Sequence, residues 1–266
     1  MKERKFIIKD KRTNLFIILS GIFLTNAIMA EMIGVKIFSL EETMGFEPVQ
    51  INMLLENPLS FNLTAGVIIW PVVFLTTDVI NEYFGKRGVR KISFLTAGFI
   101  AYMFLVIYLV TTLSPAGFWL DLNNLDDSGN SFNIDFAFRK IFRQGLGIII
   151  GSLVAFLIAQ LLDVFIFQRL RAVTGRKMVW LRATGSTLIS QFIDSFVVLG
   201  IAFYVFGNWN MDQIISVGII NYIYKFAVAV VLTPLIYLAH YLIDNYLGKD
   251  QAHLMAEEAG KDKSFF

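Results

Sequence analysis

Two carboxylates, an amide and a phenol close a long apolar run at Thr76-Thr77-Asp78-Val79-Ile80-Asn81-Glu82-Tyr83-Phe84-Gly85. The run begins near Leu63 and otherwise has the character of a membrane span. Ionisable groups are expensive at membrane depth, and those that occur line a site or a path. Their chemistry is hydrogen bonding to a polar ligand and, for a carboxylate, proton uptake. Glu82 lies one helical turn beyond Asp78 and shares its face.

A second set is repeated. Leu157-Ile158-Ala159-Gln160-Leu161-Leu162-Asp163-Val164-Phe165 is matched by Leu188-Ile189-Ser190-Gln191-Phe192-Ile193-Asp194-Ser195-Phe196. In each copy Gln and Asp stand three residues apart and face one side of a helix. The copies sit on successive spans of opposite direction, and such inverted repeats bracket transporter sites near the bilayer midplane. Counted inward from Arg169 and Arg182, Gln160 and Gln191 lie ~13 Å inside the helix ends. Asp163 then falls nearer the cytoplasm and Asp194 nearer the centre, with Asp78 at the depth of the glutamines. Glutamine and aspartate also serve as plain interhelical glue. A mid-span carboxylate is costly enough to favour a ligand site at Asp194. At Asp163 the two readings stand level.

Other polar groups at depth are Asn26 and Glu31 on the first span and Lys225 on the last, with Asn221 one turn before it. A lysine there needs a carboxylate, and the candidates are Asp194, Asp78 and Glu31. The pair is either structural or a charge compensation broken by ligand or proton. Glu82, Tyr83, Arg87 and Arg90 read as an interfacial salt-bridge network with a tyrosine anchor. His240 and His253 have no metal-ligand company. The chain contains no zinc-protease, nucleophile-elbow or Walker-type motif, so neither metal nor cofactor is expected.

These groups must be held by membrane helices. Hydrophobic residues make up 56% of the chain, and its net charge of +2 gives no support to a nucleic-acid partner. The absence of cysteine excludes disulfides and thiolate chemistry. The N-terminal basic stretch leads into a full span with no convincing cleavage site, unlike a secretory signal. Six helical spans are expected, at about 14–38, 61–80, 92–113, 145–167, 183–206 and 214–246. Each crosses ~30 Å of hydrocarbon, and only helices satisfy their own backbone there. The fold class is an all-α membrane protein with inverted pairing of the fourth and fifth helices. It divides into a basic N-terminus at 1–13, a transmembrane domain at 14–247 and a polar tail at 248–266. Lysine and arginine gather before span one, at 86–91, at 169–182 and after span six, which puts both termini in the cytoplasm. Two outer segments exceed simple turns. The first, with Val49, Ile51 and Met53 alternating, reads as a hairpin or lid. The second carries an Asp127-Ser128-Gly129 turn, with Asp126 and Asp127 read as solvated. The tail reads as solvated too, with at most a turn of helix at 255–258.

The segment Asp78 to Gly85, followed by Arg90, resembles the signature of the queuosine precursor transporter family, also called the vitamin uptake transporter group. Gln160 to Phe167, Leu181-Arg182, Ser186-Thr187, Ser190 to Asp194, Lys225 and Thr233-Pro234 are similar to the family's second half, and the likeness covers about 25–237. The segments at 41–61 and 123–136 are longer than in shorter members. The resemblance implies inner-membrane import of a 7-deazaguanine, such as preQ0 or preQ1, for tRNA queuosine synthesis. Such a ring offers adjacent N–H donors at N1 and the 2-amino group and an acceptor at O6. A carboxylate takes two parallel donors, and a glutamine serves either side. Asp78, Gln160, Gln191 and Asp194 supply that set, with Asn26, Asp163, Lys225 and Glu82 behind them. Phe192 and Phe196, or Trp70 and Tyr83, can stack on the ring. The expected partners are a purine-like small molecule and the lipid bilayer, and a homo-oligomer is compatible with the chain. Three alternatives stay open: a vitamin-binding membrane subunit served by a separate ATPase, an intramembrane enzyme using paired aspartates, and a structural scaffold.

Overall fold

The computed structural model describes residues 10–34, 36–48, 61–143, 146–174, 178–206 and 208–261. Helix α1, Lys11–Ile33, starts where Asp10 accepts hydrogen bonds from the amides of Arg12 and Thr13, each at 3.1 Å. It ends five residues before the expected end of span one. The chain there turns into strand β1, Ile37–Ser39, which pairs antiparallel with β2, Asn62–Thr64. Between them a short helix α2, Leu40–Thr43, brings in Glu41, whose carboxylate accepts from the Phe61 amide at 2.8 Å. The second apolar run therefore opens as a strand and a 3₁₀ turn at Ala65–Ile68, and becomes α-helical only at Trp70. The alternating residues Val49, Ile51 and Met53 lie outside the described residues.

Helix α3, Trp70–Val110, spans 41 residues, but its backbone leaves helical geometry at Gly85, where φ is 66° and ψ is −172°. Straight, it would run ~60 Å, about twice the hydrocarbon thickness. The expected spans two and three are thus joined through a break at one glycine. Beyond α3 come α4, Gly117–Leu122, and α5, Ile134–Phe142. In the turn between them Asp126 accepts from the amides of Ser128 and Asn130 at 2.9 and 2.8 Å. The Asn130 contacts hold its carboxyl below the usual carboxylate range. Asp126 is a turn former.

Helices α6, Leu146–Thr174, and α7, Val179–Leu199, form a hairpin, and α7 runs on into a π-helical segment, Gly200–Val205. Helix α8, Met211–Leu247, opens with an Asn210–Gln213 capping box and carries Pro234 inside it. Among the described residues, five helices are long and apolar enough to cross a membrane: α1, α3, α6, α7 with its π segment, and α8. The protein is an all-α membrane protein with one small ribbon. Its exterior bears Ile17, Phe94, Leu105, Ile158, Val231 and Leu242, as a lipid-facing surface requires.

The polar tail departs most from expectation. Lys249–Lys261 is a 13-residue helix, α9, with Ala252, Met255 and Ala259 buried. Ala252 and Met255 join a core shared with Phe23 of α1, Ile80 and Tyr83 of α3, Phe156 of α6 and Leu247 of α8. Alanine and methionine at 252, 255 and 259 make a small apolar stripe at helical spacing, which lets α9 lie close against the break at Gly85. A Cβ at Gly85 would come within 3.1 Å of the Ala259 carbonyl oxygen and 3.3 Å of its Cα. Gly85→Ala combines that crowding with a left-handed φ, so it is expected to cost about 1–3 kcal/mol. A lowered midpoint in thermal unfolding of the detergent-solubilised protein reads this out, and an unchanged midpoint would show that the break tolerates a side chain.

Candidate functional site

Two adjoining cavities open among α3, α6, α7 and α8, sharing Trp70, Phe74 and Lys225 as a common wall. The smaller, about 260 Å³, is completed by Phe156, Ala159, Gln160, Gln191 and Asp194. The larger, about 540 Å³, is lined by Asp78, Thr184, Thr187, Tyr224 and apolar side chains.

The α6–α7 hairpin explains why residues 31 positions apart converge. Gly151 faces Ala202, Asp163 meets Ser190, and Gly185 faces Leu170. As one number rises the other falls by nearly the same amount, which marks an antiparallel pair in constant register. In that register the two Gln-x-x-Asp copies lie level, with Gln160 across from Asp194 and Asp163 across from Gln191. The glycines permit the close approach: a Cβ at Gly151 would lie 3.1 Å from the Ala202 amide nitrogen.

Within the smaller cavity Lys225 Nζ donates to Asp194 Oδ2 at 2.6 Å, with both side chains partly accessible, at 16% and 21%. Of the three candidate carboxylates, Lys225 is paired with Asp194. The Thr77 hydroxyl lies 3.3 Å from Gln160 Oε1. Gln191 Oε1 is buried and has no hydrogen-bond partner among the described residues, and the same holds for Asp78 Oδ1 on the wall of the larger cavity. Buried polar atoms are normally paired, and unpaired ones on a cavity wall are open to whatever enters it. Trp70 stacks on Phe74 at 5.8 Å between ring centres and stands 6.0 Å from Phe156, giving the cavity an aromatic side opposite its polar one. The arrangement offers acceptors at Gln191 and Asp194, donors at Lys225 and the Gln160 amide, and flat faces beside them.

The family model described as "Putative vitamin uptake transporter" matches residues 64–239, which hold every cavity-lining residue named above. The chain belongs to this family. It is 30% identical to the "Probable queuosine precursor transporter" of Bacillus subtilis (strain 168), over 76% of this chain and 83% of the relative. It is 31% identical to the protein of the same description from Haemophilus influenzae, over 66% and 67%. It is 28% identical to the "Queuosine precursor transporter" of Escherichia coli (strain K12), over 68% and 75%. No solved structure matches. As a member of the vitamin uptake transporter family the chain is a multi-pass membrane transporter, not an enzyme or a bare scaffold.

Not every expected residue of this transporter meets the cavities. Asn26 turns back on its own helix, donating to the Ile22 carbonyl at 2.8 Å, and lines neither cavity. Glu31 is buried and accepts from Ser152 of α6. Asp163 lies behind the cavities, 3.4 Å from the Thr187 hydroxyl and 3.3 Å from that of Ser190. Tyr83 is engaged by Asp244 at 2.7 Å and His240 at 2.9 Å, and Phe192 is largely exposed, so neither stacks on the cavity. Phe74, Phe156 and Thr77 join the site without any mark in the sequence, because an aromatic or a threonine in an apolar helix is unremarkable.

Glu82 is corrected more sharply. Arg182 clamps it through Nη2 at 2.7 Å and Nε at 3.0 Å, and Arg171 Nη2 adds a third contact at 3.4 Å. Arg171 also reaches the Glu82 carbonyl at 3.1 Å and the Ala256 carbonyl of α9. Glu82 lines neither cavity, and its cations are Arg171 and Arg182, which the charge count had placed in a loop but which are 9% and 1% exposed. This network is a lock tying α3, α6, α7 and α9 together. Glu82→Gln removes the charge and strands two buried guanidiniums, at an expected cost of about 3–5 kcal/mol. Loss of monodisperse protein or a large drop in unfolding midpoint is the expected readout, and wild-type stability would show that the arginines find other partners.

Proposed function

We propose that this transporter imports a queuosine precursor, a 7-deazaguanine of the preQ0 or preQ1 type, across the inner membrane for tRNA queuosine synthesis. The observation that carries the proposal is the convergence of Gln160, Gln191, Asp194 and Lys225 on one cavity walled by Trp70, Phe74 and Phe156. The names of the relatives support the same substrate class. Burying such a base unpaired would cost roughly 2–7 kcal/mol per polar group, so recognition must match its donors and acceptors nearly completely. The N1 and 2-amino hydrogens have acceptors in Asp194 and in Gln191 Oε1. O6 has donors in Lys225 and in the Gln160 amide. The ring lies against Trp70 and Phe74.

In this reading Lys225 moves. In the structure it neutralises Asp194; with a base present it gives that carboxylate to the ring hydrogens and turns to O6. The pair keeps the cavity from holding a bare charge between cycles. Crossing the bilayer six times accords with the break at Gly85: residues 65–84 and 86–110 are each of spanning length, so five long helices supply six crossings. By the positive-inside rule, both termini, the Glu82 lock and α9 face the cytoplasm in this reading.

Uptake of radiolabelled preQ0 or preQ1 into liposomes holding the purified protein alone tests the reading. Asp194→Asn is expected to lower apparent affinity about 10- to 100-fold, the worth of charged hydrogen bonds, while the protein stays folded. Normal uptake by that variant would remove Asp194 from the site. Trp70→Leu is expected to weaken half-saturation about tenfold through lost stacking. An unchanged value would move the base away from Trp70. Binding without uptake would instead indicate a subunit that needs a separate ATPase.

A further inference from the structure

Among the buried carboxylates that recognition of the base leaves unused are Asp78 and Asp163. Asp78 on α3 is 4% exposed and Asp163 on α6 is 6% exposed. Thr77, next to Asp78, has its hydroxyl 3.3 Å from Gln160, one helical turn before Asp163, which brings the two carboxylates near each other. Thr187 of α7 links them, with its hydroxyl 3.4 Å from Asp163 Oδ1 and its side chain on the same cavity wall as Asp78. Two like charges in apolar surroundings repel each other and lose hydration together, so both cannot stand uncompensated.

The neighbouring charges do not supply that compensation. Arg182 of α7 acts on Asp78 but is clamped by Glu82. Glu82 itself, on α3, adds a further negative charge near Asp78. From α8, Lys225 shares the cavity wall but is held by Asp194 at 2.6 Å, and Tyr224 beside it is neutral. The two carboxylates are also satisfied unequally. Asp163 Oδ1 has the hydroxyls of Thr187 and Ser190 at 3.4 and 3.3 Å. Asp78 Oδ1, inside a side chain more than nine-tenths buried, has no partner among the described residues. An orphaned carboxylate oxygen on a cavity wall, near a second carboxylate, is a receptor for a small positive charge.

We propose that the Asp78–Asp163 pair takes up one monovalent cation, H⁺ or Na⁺, and that this charge couples transport to an ion gradient. The site adjoins the base cavity through Trp70, Phe74 and Lys225, so occupancy of one bears on the charge balance of the other. A cation at Asp78 makes it cheaper for Lys225 to leave Asp194 when the base arrives. The coupling half rests on the proposed transport of the base; the cation-binding half does not.

The test therefore reads cation binding without any base present. The purified full-length protein in detergent is assayed for saturable binding of radioactive sodium and, separately, for the infrared carbonyl band of a protonated aspartic acid at neutral pH. One of the two signals is expected in the wild type, and which one appears identifies the ion. Asp78→Asn and Asp163→Asn should each abolish it, whereas Asp121→Asn on the exposed helix α4 should keep it. Replacing a buried carboxylate by its neutral isostere removes a desolvated charge, and gel filtration checks that each variant stays monodisperse. Absence of both signals from the wild type, or survival of the signal in either Asp78→Asn or Asp163→Asn, overturns the proposal. If the protein binds the cation but imports no deazaguanine, the substrate reading fails and this one stands.

Discussion

Every charge this chain keeps at membrane depth must find compensation within the helix bundle, because lipid supplies none. That constraint sorts the buried carboxylates into kinds. Glu82 is saturated by two guanidiniums, one of them bidentate, that come from two other helices, α6 and α7. Such a pair is hard to open, since removing either side strands the other. Asp194 has a single flexible partner in Lys225, and both are partly accessible. A lone ammonium on a four-carbon stem is a point charge that can move without losing a geometric match, unlike a guanidinium fork. The bundle thus uses arginine where helices must stay together and lysine where a cavity is to be filled.

The same constraint gives α9 its place. Gly85 interrupts α3 just past the Glu82 lock. The small side chains of α9 pack against that point, and Arg171 spans the gap by binding Glu82 on one side and the Ala256 carbonyl on the other. A Cβ at Gly260 would lie 3.1 Å from Arg171 Nε, so small residues are needed there also. The C-terminal helix is therefore part of the membrane domain's core.

How much of this was legible in the sequence depends on contrast. Asp78, Gln160, Gln191, Asp194 and Lys225 stand out because each interrupts an apolar run, and the structure places all five on the cavity walls. Asn26 interrupts a run in the same way but is satisfied by Ile22 on its own helix, which spacing does not reveal. Arg171 and Arg182 were misplaced because charge counting treats every arginine near a span end as solvated, although a guanidinium can reach inward to a carboxylate on another helix. Phe74 and Phe156 carried no contrast at all. The tail misled because its charged residues outnumber its buried ones, and only the spacing of Ala252, Met255 and Ala259 distinguishes it from a solvated segment. The expected ends of spans one and two failed for a different reason. Ile37–Ser39 and Asn62–Thr64 adjoin apolar runs, but strand pairing between them is a long-range choice that local hydropathy does not encode.

The repeat in α6 and α7 also explains why its two aspartates differ. In an antiparallel pair with level copies, the surroundings of Asp163 and Asp194 should correspond by a shift of 31 residues. Asp163 is met by Ser190 and Thr187 of α7. Their counterparts on α6, facing Asp194, are Ala159 and Phe156, and both line the smaller cavity. Where one aspartate receives two hydroxyls, the other receives a methyl group and an aromatic ring. Asp163 is therefore largely satisfied by its neighbouring helix, whereas Asp194 faces an apolar wall and depends on Lys225 from a third helix. A carboxylate left without hydrogen bonds from its own hairpin must be answered by something mobile, and an aromatic ring at that position is well suited to the face of a flat heterocycle. Divergence at two positions, rather than any new motif, leaves one copy of the repeat hydrogen-bonded within its own hairpin and the other dependent on Lys225.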